Sequence, residues 1–159
     1  MAARAVTSAS LAALAALAAC GGGSTPGDTA AAPPLRRAEA TVRARGYFPV
    51  DVSAYDAHAP FAVIIGVREG SADASAQRAF FFAAGRFVGH DASSDSARIG
   101  VAFARPTVVA LRYALFDARD PQCCPSGGSA TVRYRWNGHR VEPLDRIPPS
   151  SYALAGSRR

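Results

Sequence analysis

The spacing of apolar positions changes repeatedly along this chain, and each change marks a boundary. Residues 5–19 are mostly alanine with Leu11, Leu14 and Leu17, and they follow a lone Arg4. That run is shorter than the roughly twenty residues needed to cross a hydrocarbon core. Residues 20–34 are Gly, Ser, Thr, Ala and Pro with a single charge, Asp28, and lack any apolar period. They predict a flexible tether with a root-mean-square span on the order of 20 Å. In residues 35–45, Leu35, Ala38, Val42 and Arg45 fall on one helical face, with Arg36, Arg37, Glu39 and Arg43 on the others, and Gly46 supplies a stop. A short amphipathic helix is expected there.

After Gly46 the period becomes two. Residues 61–67 (FAVIIGV) are apolar on both faces, as in a central strand. Residues 79–82 and 87–89 flank Ala83-Ala84-Gly85-Arg86, which predicts a tight hairpin. Phe80, Phe81 and Phe82 cannot all face one side of a strand, so a second layer must receive at least one of them. Ile99, Val101 and Phe103 alternate before Arg105-Pro106 breaks the run, and Thr107, Val109, Leu111, Tyr113 and Leu115 then share one face of a core strand.

Residues 130–136 and 139–144 enclose Asn137-Gly138, the pair suited to a type I′ turn. A two-residue turn places Trp136 opposite His139, Tyr134 opposite Val141 and Val132 opposite Pro143. The other face then opposes Arg135 with Arg140 and Arg133 with Glu142. Residues 150–159 are expected to form a loose C-terminal tail. These elements predict a single α+β domain over residues 35–149, with an N-terminal amphipathic helix packed on a mostly antiparallel sheet of about six or seven strands. A β-sandwich or partly closed barrel with a peripheral helix is the alternative.

Charge adds little specificity. All 18 basic residues are arginine, set against 12 acids. An Arg-, Ala- and Gly-rich chain matches the codon preference of a GC-rich genome, so most of this charge reads as solvated surface. The balance still favours anionic lipid headgroups or cell-wall polymers over neutral partners.

Leu17-Ala18-Ala19-Cys20 ends the apolar run in small residues and a cysteine, followed by Gly21-Gly22-Gly23-Ser24. The pattern resembles a bacterial lipoprotein signal. By that resemblance residues 1–19 are a signal peptide and Cys20 carries the lipid, holding the protein in the bilayer at the extracytoplasmic face of the cell membrane. Buried acyl chains contribute about 0.8 kcal/mol per methylene, and two or more chains anchor firmly. Nucleic acid is not an expected partner there.

Assigning Cys20 to lipid leaves Cys123 and Cys124, which are adjacent. Neighbouring Cα atoms lie about 3.8 Å apart across a trans peptide and about 2.9 Å across a cis one, below the roughly 4.4 to 6.8 Å of an ordinary disulfide. Four readings stay open: a loop clasp, a redox switch, a soft-metal site for Cu(I) or Zn, and an intermolecular bond. His58, His90 and His139 are scattered with no ligand spacing, so neither metal nor cofactor is expected. For hydrolysis, Gly89-His90-Asp91 offers a base beside an acid and Ser126 sits in a Gly-rich loop. Strand neighbours point to opposite faces, however, and no Gly-x-Ser-x-Gly elbow is present. Arg133, Arg135 and Arg140 on the last hairpin are candidates for contact with an anion, because opposed like charges invite a counter-ion.

Several stretches together carry a family resemblance: Phe80-Phe81-Phe82, Gly85-Arg86-Phe87-Val88-Gly89, Asp120-Pro121-Gln122-Cys123-Cys124-Pro125-Ser126-Gly127-Gly128, Val132 through Gly138, and Pro143, Leu144, Asp145, Ile147 and Pro148. Over residues 45–149 the chain resembles the LppP/LprE lipoproteins of actinobacteria. The resemblance implies an envelope-anchored domain without an assigned reaction or cofactor. The expected function is non-enzymatic, a binding or scaffolding module of the cell envelope engaging an anionic polymer or an envelope protein. A thiol redox-active protein using Cys123 and Cys124 is the competing expectation.

Overall fold

A computed structural model describes residues 33–159. Helix α1 (Pro34–Arg43) starts on Pro34, whose missing N–H costs nothing at the first helical position. It buries Ala38 and Val42. Leu35, expected on the same face, remains 37% exposed at the open end of the helix.

Eight strands follow, in two antiparallel sheets. Strands β1 (Tyr47–Asp51), β2 (Ala62–Arg68), β3 (Gln77–Ala83) and β4 (Arg86–His90) form the first in sequential order. Strands β5 (Ile99–Arg105), β6 (Val108–Ala114), β7 (Ser129–Trp136) and β8 (Val141–Pro143) form the second, again in order. The single sheet of six or seven strands is therefore corrected to two four-stranded meanders facing each other, with no closed barrel among the described residues. The α+β description holds loosely, since the helix is small.

Two cores explain the apolar runs. Between the sheets lie Phe61, Val63, Ile65, Ala79 and Phe81 from the first, and Val109, Leu111, Tyr113, Val132 and Tyr134 from the second. On the far side of the first sheet, Ile64, Phe80 and Phe82 pack with Tyr47 against Ala38 and Val42 of α1. The three phenylalanines thus divide, Phe81 inward onto Phe61 and Tyr134 with ring centroids 5.1 and 5.0 Å away, Phe80 and Phe82 outward beneath the helix. Each such burial contributes about 1.5–3 kcal/mol. Gly66 lets the helix approach, because a Cβ there would meet Phe80, Tyr47 and Val42 at 3.0 Å. The β3–β4 hairpin turns on Ala84 and Gly85, both at positive φ (46° and 74°) as a type I′ turn requires.

The last hairpin differs from expectation in register. Tyr134 pairs with Pro143, Arg135 with Glu142 and Trp136 with Val141, so the connection spans residues 137–140. The cause is the Asn137 side chain, whose carbonyl accepts the backbone amides of His139 and Arg140, each at 2.9 Å. His139 is left exposed in this loop rather than opposite Trp136.

The C-terminal segment is also not loose. Ser157, Arg158 and Arg159 are buried. Ser157 bridges to Phe116 by backbone hydrogen bonds, and the Arg158 carbonyl accepts the Ala97 amide at 2.8 Å. The Arg158 guanidinium donates to the carbonyls of Pro148, Ser94 and Asp95 and to the hydroxyls of Ser94 and Ser96, at 2.5 to 3.0 Å. Polar composition alone hid this clamp.

Candidate functional site

The connection from β6 to β7 carries the cysteines. Its ends close against each other, with Leu115 N–H donating to the Gly128 carbonyl at 3.0 Å and Gly127 N–H to the Leu115 carbonyl at 2.9 Å. Asp120 organises the interior: its carboxylate accepts the Asp117 amide, the Ser126 amide and the Ser126 hydroxyl, all at 2.7 Å. Those donors hold the Asp120 carboxyl below its ordinary range, the Ser126 contributions being largest. Cys123 and Cys124 are disulfide-bonded at a Cα separation of 3.8 Å, and both are exposed. The bond clasps two neighbours on the outside of an already ordered loop.

Cys123 and Gln122 form one wall of a 570 Å³ cleft. The cleft is also lined by Asp73 and Ser75 from the β2–β3 connection and by Arg98, the residue before β5. Gln77 lines the same cleft. Its side-chain carbonyl accepts the Ile99 amide at 2.7 Å, its amide donates to the Ala74 carbonyl at 3.1 Å, and its backbone bridges to Ser96. One side chain therefore ties both sheets together at the cleft. Arg98 donates to the Cys123 carbonyl at 2.7 Å, which fixes the disulfide loop over the same cleft.

The hairpin arginines are not opposed as like charges: Arg135 pairs with Glu142 rather than with Arg140. Arg133 is bidentate to Asp145, with Nε and an Nη at 2.9 and 2.8 Å. Arg135 and Arg140 share Glu142 at 3.1 and 3.0 Å. Two carboxylates thus offset three guanidinium groups, and their own carboxyls are held down, that of Asp145 to about 2 by Arg133.

His90, Asp91 and Ser126 are not brought together. Ser126 binds Asp117 and Asp120. Asp91 turns into the seam between the sheets, only 6% exposed, and accepts the Tyr113 hydroxyl at 2.7 Å and the Ala79 amide at 3.0 Å. Tyr113 is in turn 2.7 Å from the Tyr134 hydroxyl. Burial pushes the Asp91 carboxyl up, partly opposed by Tyr113, the Ala79 amide and the charge of Arg158. Burial likewise pushes Tyr113 and Tyr134 up. A second node is Asp95, which receives Tyr47 at 2.7 Å and the guanidinium groups of Arg68 and Arg78 at 2.5 and 2.7 Å. Tyr47 is pushed up to about 12, burial contributing most and Asp95 next. Neither node was visible in the sequence, because each joins segments far apart along the chain. Among the described residues no three His, Cys, Asp or Glu side chains converge as metal ligands.

The family profile described as LppP/LprE lipoprotein matches residues 53–139, more than half of the chain. The chain belongs to the LppP/LprE lipoprotein family. No curated protein matches it, and no solved structure does. The matched span runs from the loop before β2 to the turn after β7, so in this chain it covers both halves of the inter-sheet core, the Asp91–Tyr113–Tyr134 chain and the disulfide loop. Helix α1, strand β8 and the Arg158 clamp lie outside it. Membership makes this chain a lipoprotein, consistent with membrane anchoring. Cys20, the signal segment and most of the tether lie outside the described residues.

Proposed function

We propose that this LppP/LprE lipoprotein is a non-catalytic binding or scaffolding module of the cell envelope, held by acylated Cys20 at the outer face of the cell membrane. The cleft beside the disulfide is its contact point. The observation that carries this reading is the commitment of the cleft's polar groups. Gln77 and Arg98 already hold backbone groups, so they present a preset polar rim rather than a nucleophile with a base. A rim of that kind suits a polar polymer segment or the loop of an envelope protein.

The test is affinity capture from membranes solubilised in mild detergent, comparing the native chain with Gln122→Trp, which fills the cleft mouth. Recovery of an envelope component by the native chain and its loss with Gln122→Trp supports the reading. Equal recovery by both proteins refutes the cleft as the contact point.

One observation favours a second reading: both cysteines are exposed residues and Cys123 borders the cleft, the access that thiol exchange requires. Equilibration in glutathione buffers decides. A pair that stays oxidised below about −300 mV is structural, and one reduced well above that potential is redox-active.

A further inference from the structure

A pocket of 380 Å³ on the other side of the molecule is built from three separate segments. Pro34 and Arg37 come from the first turn of α1, Tyr55 and His58 from the loop before β2, and Gly85 and Arg86 from the β3–β4 turn. The loop and the turn are locked together by backbone. Ala84 N–H donates to the Ala59 carbonyl at 3.0 Å, and Gly85 approaches so closely that a Cβ would lie 3.3 Å from the Ala57 carbonyl oxygen. Tyr55 packs edge-on to Phe82 at 5.3 Å, which fixes the pocket wall to the core beneath the helix.

Arg37, His58 and Arg86 therefore line one opening. No carboxylate lines it; the nearest acid in sequence, Asp56, is turned to accept the His58 amide at 2.8 Å. Unlike Arg133, Arg135 and Arg140, neither Arg37 nor Arg86 forms a salt bridge among the described residues. Two arginines lining one opening without a salt-bridge partner among the described residues favour an anion with several acceptor oxygens, and planar guanidinium forks match a phosphate group. The chain also enters the domain here. Pro34 lines the pocket and lies fourteen residues after Cys20 in the sequence, which puts the opening where the anchored segment joins the domain. Leu35 beside it is exposed.

We propose that the Arg37–Arg86–His58 pocket binds the phosphate headgroup of an anionic phospholipid and orients the domain on the bilayer from which it hangs. The proposal rests on the anchoring of Cys20 for its proximity to lipid. It differs from general attraction of a basic protein because it assigns the contact to two arginines.

The experiment uses the mature chain from residue 20 with Cys20→Ser, so that no acyl chain contributes, in co-sedimentation with phosphatidylglycerol or phosphatidylcholine vesicles. Binding to phosphatidylglycerol alone is expected. Arg37→Gln with Arg86→Gln should weaken it by at least about tenfold. Arg119→Gln with Arg146→Gln, which removes the same charge at exposed sites elsewhere, should leave it within about twofold. Unchanged thermal melting checks that each variant is folded. Equal weakening by both pairs, or equal binding to both vesicles, overturns the proposal. So does perturbation of the Arg37 and Arg86 side-chain NMR signals by inorganic phosphate without vesicle binding, since that assigns the pocket to a soluble anion. The mass of the native protein extracted from membranes reports acylation of Cys20 independently, so failure of the anchor and failure of the pocket are distinguishable.

Discussion

Tyr113 donates its hydroxyl proton to Asp91 across 2.7 Å in the seam between the two sheets, joining the second sheet to the end of β4. With that proton committed, the Tyr134 hydroxyl 2.7 Å away donates to Tyr113, so three polar groups satisfy one another inside an apolar core. Burial raises Asp91 from its ordinary 3.8. A carboxyl raised by folding binds its proton more tightly in the folded state, so its contribution to stability is present at low pH and declines as the pH rises through the folded value.

Tyr113→Phe removes the donor that favours the charged carboxylate. Where the carboxyl is charged, stability should fall by about 1.5–3 kcal/mol, the range for a hydrogen bond to a charged group. The deficit should shrink as the pH falls and the carboxyl takes up its proton. Asp91→Asn should flatten the decline of stability with rising pH. Urea denaturation as a function of pH measures both, and a deficit for Tyr113→Phe that grows on acidification would contradict the assignment.

Arg158 fastens residues 148 and 149 and the 94–97 segment to one another through donors that no other residue supplies. Arg158→Ala should cost about 2–4 kcal/mol by leaving half-buried carbonyls and the buried Ser96 hydroxyl unpaired. Arg158→Lys should recover only part, because an ammonium cannot span the same acceptors. Denaturant midpoints of the three proteins give the comparison.

The parts of this fold legible in sequence are those set by local spacing. The helix followed from Ala38 and Val42, the β3–β4 turn from Ala84-Gly85, and the two-sided core from three consecutive phenylalanines. Alternation cannot say whether β4 pairs with β5, so the division into two sheets was not legible. The register of β7 and β8 was lost to one side chain, since Asn137 can either begin a two-residue turn or accept two amides and widen it. Residues 91–98 gave no signal of their role because their partners, Tyr113 and Arg158, lie 22 and more than 60 residues away. The cleft at Cys123 was half visible: the cysteine loop carried its own motif, whereas Gln77 and Arg98 are ordinary residues placed by topology. Arg37, His58 and Arg86 gave no signal for the same reason.

Reduction of the Cys123–Cys124 bond should barely change global stability. A loop closed by adjacent residues constrains the unfolded chain by only about 1 kcal/mol, which shifts Tm by roughly 2–6 °C in a domain of this size. The local effect should be larger, with faster amide exchange at Cys124, whose N–H donates to the Pro121 carbonyl at 3.0 Å. Calorimetry and hydrogen exchange with and without reductant test this, alongside a thiol count of two after reduction and none before. A Tm loss beyond 10 °C would show that the bond supports the core rather than one loop.

The Arg133–Asp145 pair decides how the last hairpin meets an anion. Because Arg133 holds the Asp145 carboxyl at about 2, any stability from the pair is present above the ordinary carboxylate range and is lost as the pH falls through about 2. Both groups are solvent-exposed, so that contribution is small and screened by salt. The carboxyl itself reports the pairing. By NMR its midpoint should sit near 2 in the native chain, rise towards 3.8 in Arg133→Gln, and stay unchanged in Arg140→Gln, whose partner is Glu142. A polymer binding through this face would have to displace Asp145 and Glu142 first, which would raise both carboxyl midpoints on titration. A face already offset by its own acids predicts no such movement, and Arg133→Gln should leave the binding of phosphatidylglycerol vesicles within about twofold of the native chain.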